Sequence, residues 1–126
     1  MVDTQKHIAY WREGAAEDLE VARELVGAGR SRHGLFFAHL ALEKLLKAHV
    51  CRSTQDLAPR LHTLLRLAER TDLKLSEEQR EFLARFDKYQ IEGRYPDSLP
   101  PQPTIELART ELNQAEAMFT WLNQQF

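Results

Sequence analysis

Residues 35–50 read LFFAHLALEKLLKAHV, and the fold turns on this stretch. From Leu35 to Leu42 it is apolar on nearly every side, interrupted only by His39. A helix that is greasy around its whole circumference has to be wrapped by others. From Glu43 onward, Leu45, Leu46, Ala48 and Val50 interleave with Glu43, Lys44, Lys47 and His49. That pattern predicts a helix buried at one end and partly wet at the other.

On its N-terminal side, Ile8, Trp11, Ala15, Leu19, Ala22 and Val26 recur at spacings of three and four, which predicts a helix from about Asp3 to Val26. Asp3 or Thr4 caps its start, and Gly27 and Gly29 mark its end. The segment GAGRSRHG then reads as a turn, with Arg30, Arg32 and His33 at a solvated corner.

On the C-terminal side, RSTQDLAP is a connector, followed by a short helix from about Pro59 to Arg70. Leu61, Leu64, Leu65 and Ala68 face inward there and His62 lies in the first turn, where the helix dipole disfavours a protonated imidazole. Ser76 and Gln79 form a capping box for a fourth helix reaching about Gln90. Phe82, Phe86 and Tyr89 fall on one face of it and read as core. IEGRYPDSLPPQPT holds four of the five prolines and is a loop, with Ile91, Tyr95 and Leu99 to pin it to the body. Thr104 caps a last helix running to about Gln124, with Ile105, Ala108, Leu112, Ala115, Phe119 and Leu122 along its stripe.

Together these segments predict an all-α, up-and-down bundle of four to five helices in a single domain over residues 1–126. Tyr10, Met118 and Trp121 lie beside the main stripes, where they either widen the core or leave an apolar patch for a second subunit. A formal charge of −2 argues against a general attraction to polyanions and leaves room for a local basic patch. No apolar run approaches a membrane span and the N-terminus has no signal-peptide core, so a cytoplasmic location with no membrane contact is expected. Cys51 is the single cysteine and reads as a small buried residue at a helix end.

Chemistry is sparse. No Glu is followed three residues later by His, as a di-iron bundle requires, and no His-x-x-x-His occurs. Neither a metal nor a cofactor is implied, and no catalytic residue is assigned. His39 reads as a satisfied histidine in a helix interface. The remaining candidates are Lys44 and Lys47 on the central helix, His62, and Arg94 with Tyr95 in the proline loop. Lys44 and Lys47 otherwise belong to a solvated face on which Glu43 pairs with Lys47. Arg94 in a proline-stiffened loop is a pre-organised donor fork for phosphate or carboxylate, and Tyr95 is placed to stack on a base. The alternative for Arg94 is a tie between the loop and a nearby carboxylate or carbonyl.

FFAHLALEKLLKA, then His62-Thr63-Leu64, then Tyr89 with Arg94-Tyr95-Pro96-Asp97, in this order and at these distances, resembles the HEPN family, the "higher eukaryotes and prokaryotes nucleotide-binding" domain, in its small stand-alone prokaryotic form. The likeness spans nearly the whole chain. It implies a helical bundle, a homodimer, and pairing with a minimal nucleotidyltransferase in a two-component system of toxin–antitoxin type, with a nucleotide or RNA as ligand. Many relatives are metal-independent ribonucleases marked by an Arg followed after four to six residues by a His on a late helix. Here no histidine follows Arg94, and the only pair with that spacing, Arg32 and His39, sits at the start of the central helix. The expected protein is therefore a non-catalytic HEPN-like subunit in which Arg94 meets a phosphate, Tyr95 stacks or hydrogen-bonds, and Lys44, Lys47 and His62 make secondary contacts. The alternatives are a ribonuclease with a degenerate site that uses Arg94 with His62 or His39, and a structural partner in which RYPD only locks the loop.

Overall fold

The computed structural model describes residues 2–92 and 94–126. Among them there are five α-helices, two short 3₁₀ turns and no strand: α1 (Thr4–Gly27), α2 (Ser31–Thr54), α3 (Leu64–Glu69), α4 (Glu77–Phe86), a 3₁₀ turn over Asp87–Tyr89, a second over Pro96–Ser98, and α5 (Ile105–Gln124). Gly93 of the proline loop lies outside the described residues.

α1 and α2 form the main antiparallel pair, and α5 packs on both. Ala15, Leu19, Ala22 and Val26 of α1 meet Leu35, Ala38, Leu42, Leu45 and Leu46 of α2, and Ala108, Ala115 and Leu122 of α5 complete the core. The caps are those the sequence calls for. Asp3 accepts from the Lys6 amide, Thr104 accepts from the Leu107 amide, and Ser76 and Gln79 satisfy each other's backbone donors. Cys51 is free and buried near the end of α2.

The turn between α1 and α2 is tighter than GAGRSRHG suggests. Gly29 takes φ +82°, and α2 already starts at Ser31. Gly34 lies against α1 so closely that a Cβ there would fall 2.5 Å from Val26 Cγ2. Arg32 is consequently in the first turn of α2, half-buried, and donates to the Pro100 carbonyl at 2.9 Å. Arg30 and His33 stay exposed at the corner as expected, while Arg32 clasps the proline loop. Within that loop Ile91 and Leu99 are half-buried as expected, but Tyr95 is 79% exposed and pins nothing.

From Glu43 to Cys51, α2 is drier than its pattern predicts, with only Lys44 half-exposed. Glu43, Lys47, His49 and Cys51 are all buried, because α1, α5 and the segment before α3 close over this end of the helix. Conversely Phe36, Phe37 and Leu40, in the greasier half, are only partly covered. α3 also departs from expectation. Residues 59–63 are irregular and the helix begins only at Leu64, so Leu64, Leu67 and Ala68 are its buried set and Leu65 is half-exposed. α4 ends at Phe86 and tightens into the 3₁₀ turn, which still stacks Phe82, Phe86 and Tyr89 with centroids 5.0 and 4.9 Å apart. On α5 Ile105 is exposed and Met118 is buried, while Trp121 is half-buried and Tyr10 of α1 stands free in solvent.

Candidate functional site

One turn of helix separates His39 from Glu43 and another separates Glu43 from Lys47, so the three project from one face of α2. That face is covered, and its polar groups answer one another. Glu43 Oε2 accepts from Lys47 Nζ at 3.1 Å and from His62 Nδ1 at 3.0 Å. A carboxylate only accepts, so the proton between Glu43 and the imidazole sits on Nδ1. His39 is fully buried and its Nε2 lies 2.9 Å from Asp87 Oδ1. Its Nδ1 stands 3.8 Å from Glu43 Oε1, too long for a hydrogen bond, and neither atom has a hydrogen-bond partner among the described residues. Trp11 roofs the cluster, with Lys47 Nζ 5.2 Å from its ring centre.

The same cluster explains why α3 starts late. Asp87 Oδ1 also accepts the Leu64 amide at 3.0 Å, satisfying a free donor of the first helical turn. Glu43 holds His62 two residues earlier. Two carboxylates from distant segments thus clip residues 62–64 in place, and Thr63 is left extended. His62 therefore precedes α3, and Glu43, not a helix dipole, sets its orientation.

The five sequence candidates do not converge. Lys47 and His62 meet at Glu43. Lys44 turns the other way and pairs with Asp18 of α1 at 2.8 Å, so the two lysines do not share a solvated face. Both spend their charge on carboxylates within the bundle. Arg94 and Tyr95 are exposed on the proline loop, and among the described residues the Arg94 guanidinium has only a weak 3.5 Å contact with the Ser98 carbonyl. Among the described residues no carboxylate lies within ion-pair distance of Arg94.

The sequence reading did not single out Glu43 and Asp87 as organising groups. The i, i+4 series His39, Glu43, Lys47 was visible and pointed to Glu43. Nothing local marked Asp87, because its partners lie 48 and 23 residues away.

A second polar cluster ties α4 to α5. Arg85 Nη1 donates to both oxygens of buried Glu111, and Nη2 donates to Gln114. Burial, together with the negative charge of Glu111, pushes the Tyr89 hydroxyl up to about 12. At the far end of α2, His49 Nε2 donates to the Leu122 carbonyl at 2.8 Å and its ring stacks on Phe126, which also carries the Arg12 guanidinium 4.2 Å from its centre. Burial holds the His49 pKa below its usual value, against the bond to Leu122. Among the described residues no group of three His, Cys, Asp or Glu side chains is arranged to hold a metal ion. No helix there is long and apolar enough to cross a membrane.

A family model described as "HEPN domain" matches residues 8–125. The chain belongs to the HEPN family. The fold agrees: the crystal structure of TT1696 from Thermus thermophilus superposes on this HEPN chain with a TM-score of 0.79 at 28% identity, covering 94% of this chain and 98% of that one. No curated protein matches the sequence. The resemblance carried by EKLLKA and His62-Thr63-Leu64 acquires a physical basis in this HEPN bundle, since Glu43 of the first segment binds His62 of the second.

Proposed function

We propose that this HEPN protein is a non-catalytic subunit that binds a nucleotide or RNA through the proline loop. Arg94 receives a phosphate and Tyr95 stacks on or hydrogen-bonds to the base. The observation that carries the reading is the state of Arg94: an exposed guanidinium without a carboxylate partner among the described residues, next to an aromatic ring that is 79% exposed. A guanidinium fork and a free aromatic face are the two elements that phosphate and base recognition require. Lys44 and Lys47 are committed to Asp18 and Glu43, so their part is to hold the bundle and, at most, to add long-range positive potential. In this reading the subunit acts in the cytoplasm as a homodimer beside a minimal nucleotidyltransferase, in a two-component system of toxin–antitoxin type.

Titration of a fluorescently labelled short RNA, with ATP and GTP as competitors, tests it. Arg94→Ala should weaken binding about tenfold or more, as expected for loss of a hydrogen-bonded charge contact. Equal binding by the two proteins would overturn the assignment.

One observation favours a second reading, a ribonuclease. His62 has its Nδ1 fixed by a buried carboxylate while its side chain is 61% exposed, and that is how an imidazole is oriented for use as a base. His39, fully buried against Asp87, is not placed for such a role. Incubating the same preparation with cellular RNA separates the two: cleavage lost in both Arg94→Ala and His62→Ala would establish the enzyme.

A further inference from the structure

α4 rests on α3 and on the 3₁₀ turn that follows it, rather than along α5. The interval between α4 and α5 is spanned by Arg85, whose guanidinium reaches Glu111 and Gln114. Beside that strut lies an open groove of about 750 Å³. Its α4 wall is Glu78, Glu81, Phe82 and Arg85, at i, i+3, i+4 and i+7. Its α5 wall is Gln114, Ala117, Met118 and Trp121, at the same intervals. Two helices therefore offer matching faces, bridged at Arg85 and open beside it.

The floor is apolar, built from Phe82, Met118 and Trp121, with the two aromatic rings half-exposed. The lip is acidic. Glu78 and Glu81 are exposed and, among the described residues, form no ion pair, whereas the charge of Arg85 is spent on Glu111. The ten residues of α4 give a wall of about 15 Å, nearly three turns of a helix. A groove of this length with anchors repeating at helical intervals is the shape that receives an amphipathic helix. The unpaired glutamates select the sign of that helix.

We propose that the α4–α5 groove docks a short amphipathic helix of a partner protein, its apolar residues seated on Phe82, Met118 and Trp121 and its Lys or Arg residues facing Glu78 and Glu81. The groove shares no residue with the Arg94 loop, so this inference stands or falls apart from the ligand proposed there.

The probes are two labelled peptides of about three helical turns with the same Leu pattern at i, i+3, i+4 and i+7, one with Lys flanks and one with Glu flanks. Fluorescence anisotropy with the intact protein should show saturable binding of the Lys peptide and weaker binding of the Glu peptide. Glu78→Gln with Glu81→Gln should weaken the Lys peptide by roughly twofold to fivefold per site, as exposed ion pairs do. Ala117→Arg, at an exposed helical position that keeps the fold, should block the groove and abolish binding. The proposal is overturned if the Lys peptide does not saturate, if both peptides bind equally, or if Ala117→Arg leaves binding intact. Self-association that Ala117→Arg abolishes would give the groove to a second copy and overturn it as well.

Discussion

Glu43 and His62, nineteen residues apart, are joined by a 3.0 Å hydrogen bond between a carboxylate that is 4% exposed and an imidazole that is mostly in solvent. The bond couples the centre of α2 to the segment that precedes α3. Lys47 compensates the same carboxylate from one turn away on α2, and the pair is almost free of water.

Such a pair is costly to break singly. Glu43→Ala leaves the buried Lys47 ammonium unpaired and frees His62, and it should lower stability by about 3 to 5 kcal/mol. The double replacement Glu43→Leu with Lys47→Met should recover most of that loss, because an apolar pair of similar volume needs no compensation. Urea unfolding of the single and double variants measures both. Equal destabilisation by the two would show that Glu43 acts mainly by holding His62.

At the other end of α2, His49 links stability to acid. Burial depresses its pKa in the folded state, so the unfolded chain takes up a proton first as the pH falls. The stabilising contribution is present above the ordinary histidine pKa of about 6.5 and is lost as the pH falls through the depressed folded value. Urea midpoints at pH 7.5 and 5.0 should differ more for the native protein than for His49→Gln.

Tyr89 gives the opposite slope in alkali. Its folded pKa is pushed up to about 12, so the unfolded chain loses the phenolic proton first. The contribution is intact below the unfolded value of about 10 and is lost as the pH rises toward the folded one. Tyr89→Phe should flatten the alkaline limb of a stability–pH curve between those values. An unchanged limb would mean that the hydroxyl is not held as described.

Two glycines at the α1–α2 corner should respond in opposite directions to alanine. At Gly34 a Cβ would stand 2.5 Å from Val26 Cγ2 and 3.0 Å from the Val26 amide nitrogen, so Gly34→Ala should cost about 1 to 3 kcal/mol through overpacking. At Gly27 a Cβ meets nothing within 4 Å, and Gly27→Ala should stabilise by about 0.4 to 1 kcal/mol by restricting the unfolded chain. Thermal melts of the two variants displaced on either side of the native protein would satisfy this.

Arg94→Ala should leave stability within about 0.5 kcal/mol of the native value, since the side chain is exposed and, among the described residues, makes only one weak contact. A loss of 1 to 3 kcal/mol, about the cost of stranding buried polar groups, would instead favour the reading in which RYPD locks the loop. Denaturant unfolding alongside the RNA titration distinguishes a binding residue from a structural one.

Sequence by itself determined the bundle. The i, i+3, i+4 spacing of apolar residues, the caps at Asp3, Ser76 and Thr104, and the density of proline after Gln90 are local signals with local causes; the three caps form where they were read, and the spacing holds except at Ile105 and in the third helix. Only the tertiary structure decided what the polar residues of α2 do. Periodicity assigns a charged residue to the wet face because an isolated buried charge is prohibitive. Glu43, Lys47 and His39 evade that rule by partnering one another and residues 62 and 87, and no pattern within α2 reveals those distant partners. For the same reason α3 begins at Leu64 and not at Pro59: Glu43 holds His62 ahead of the helix, and Asp87 caps the amide of Leu64, its first residue.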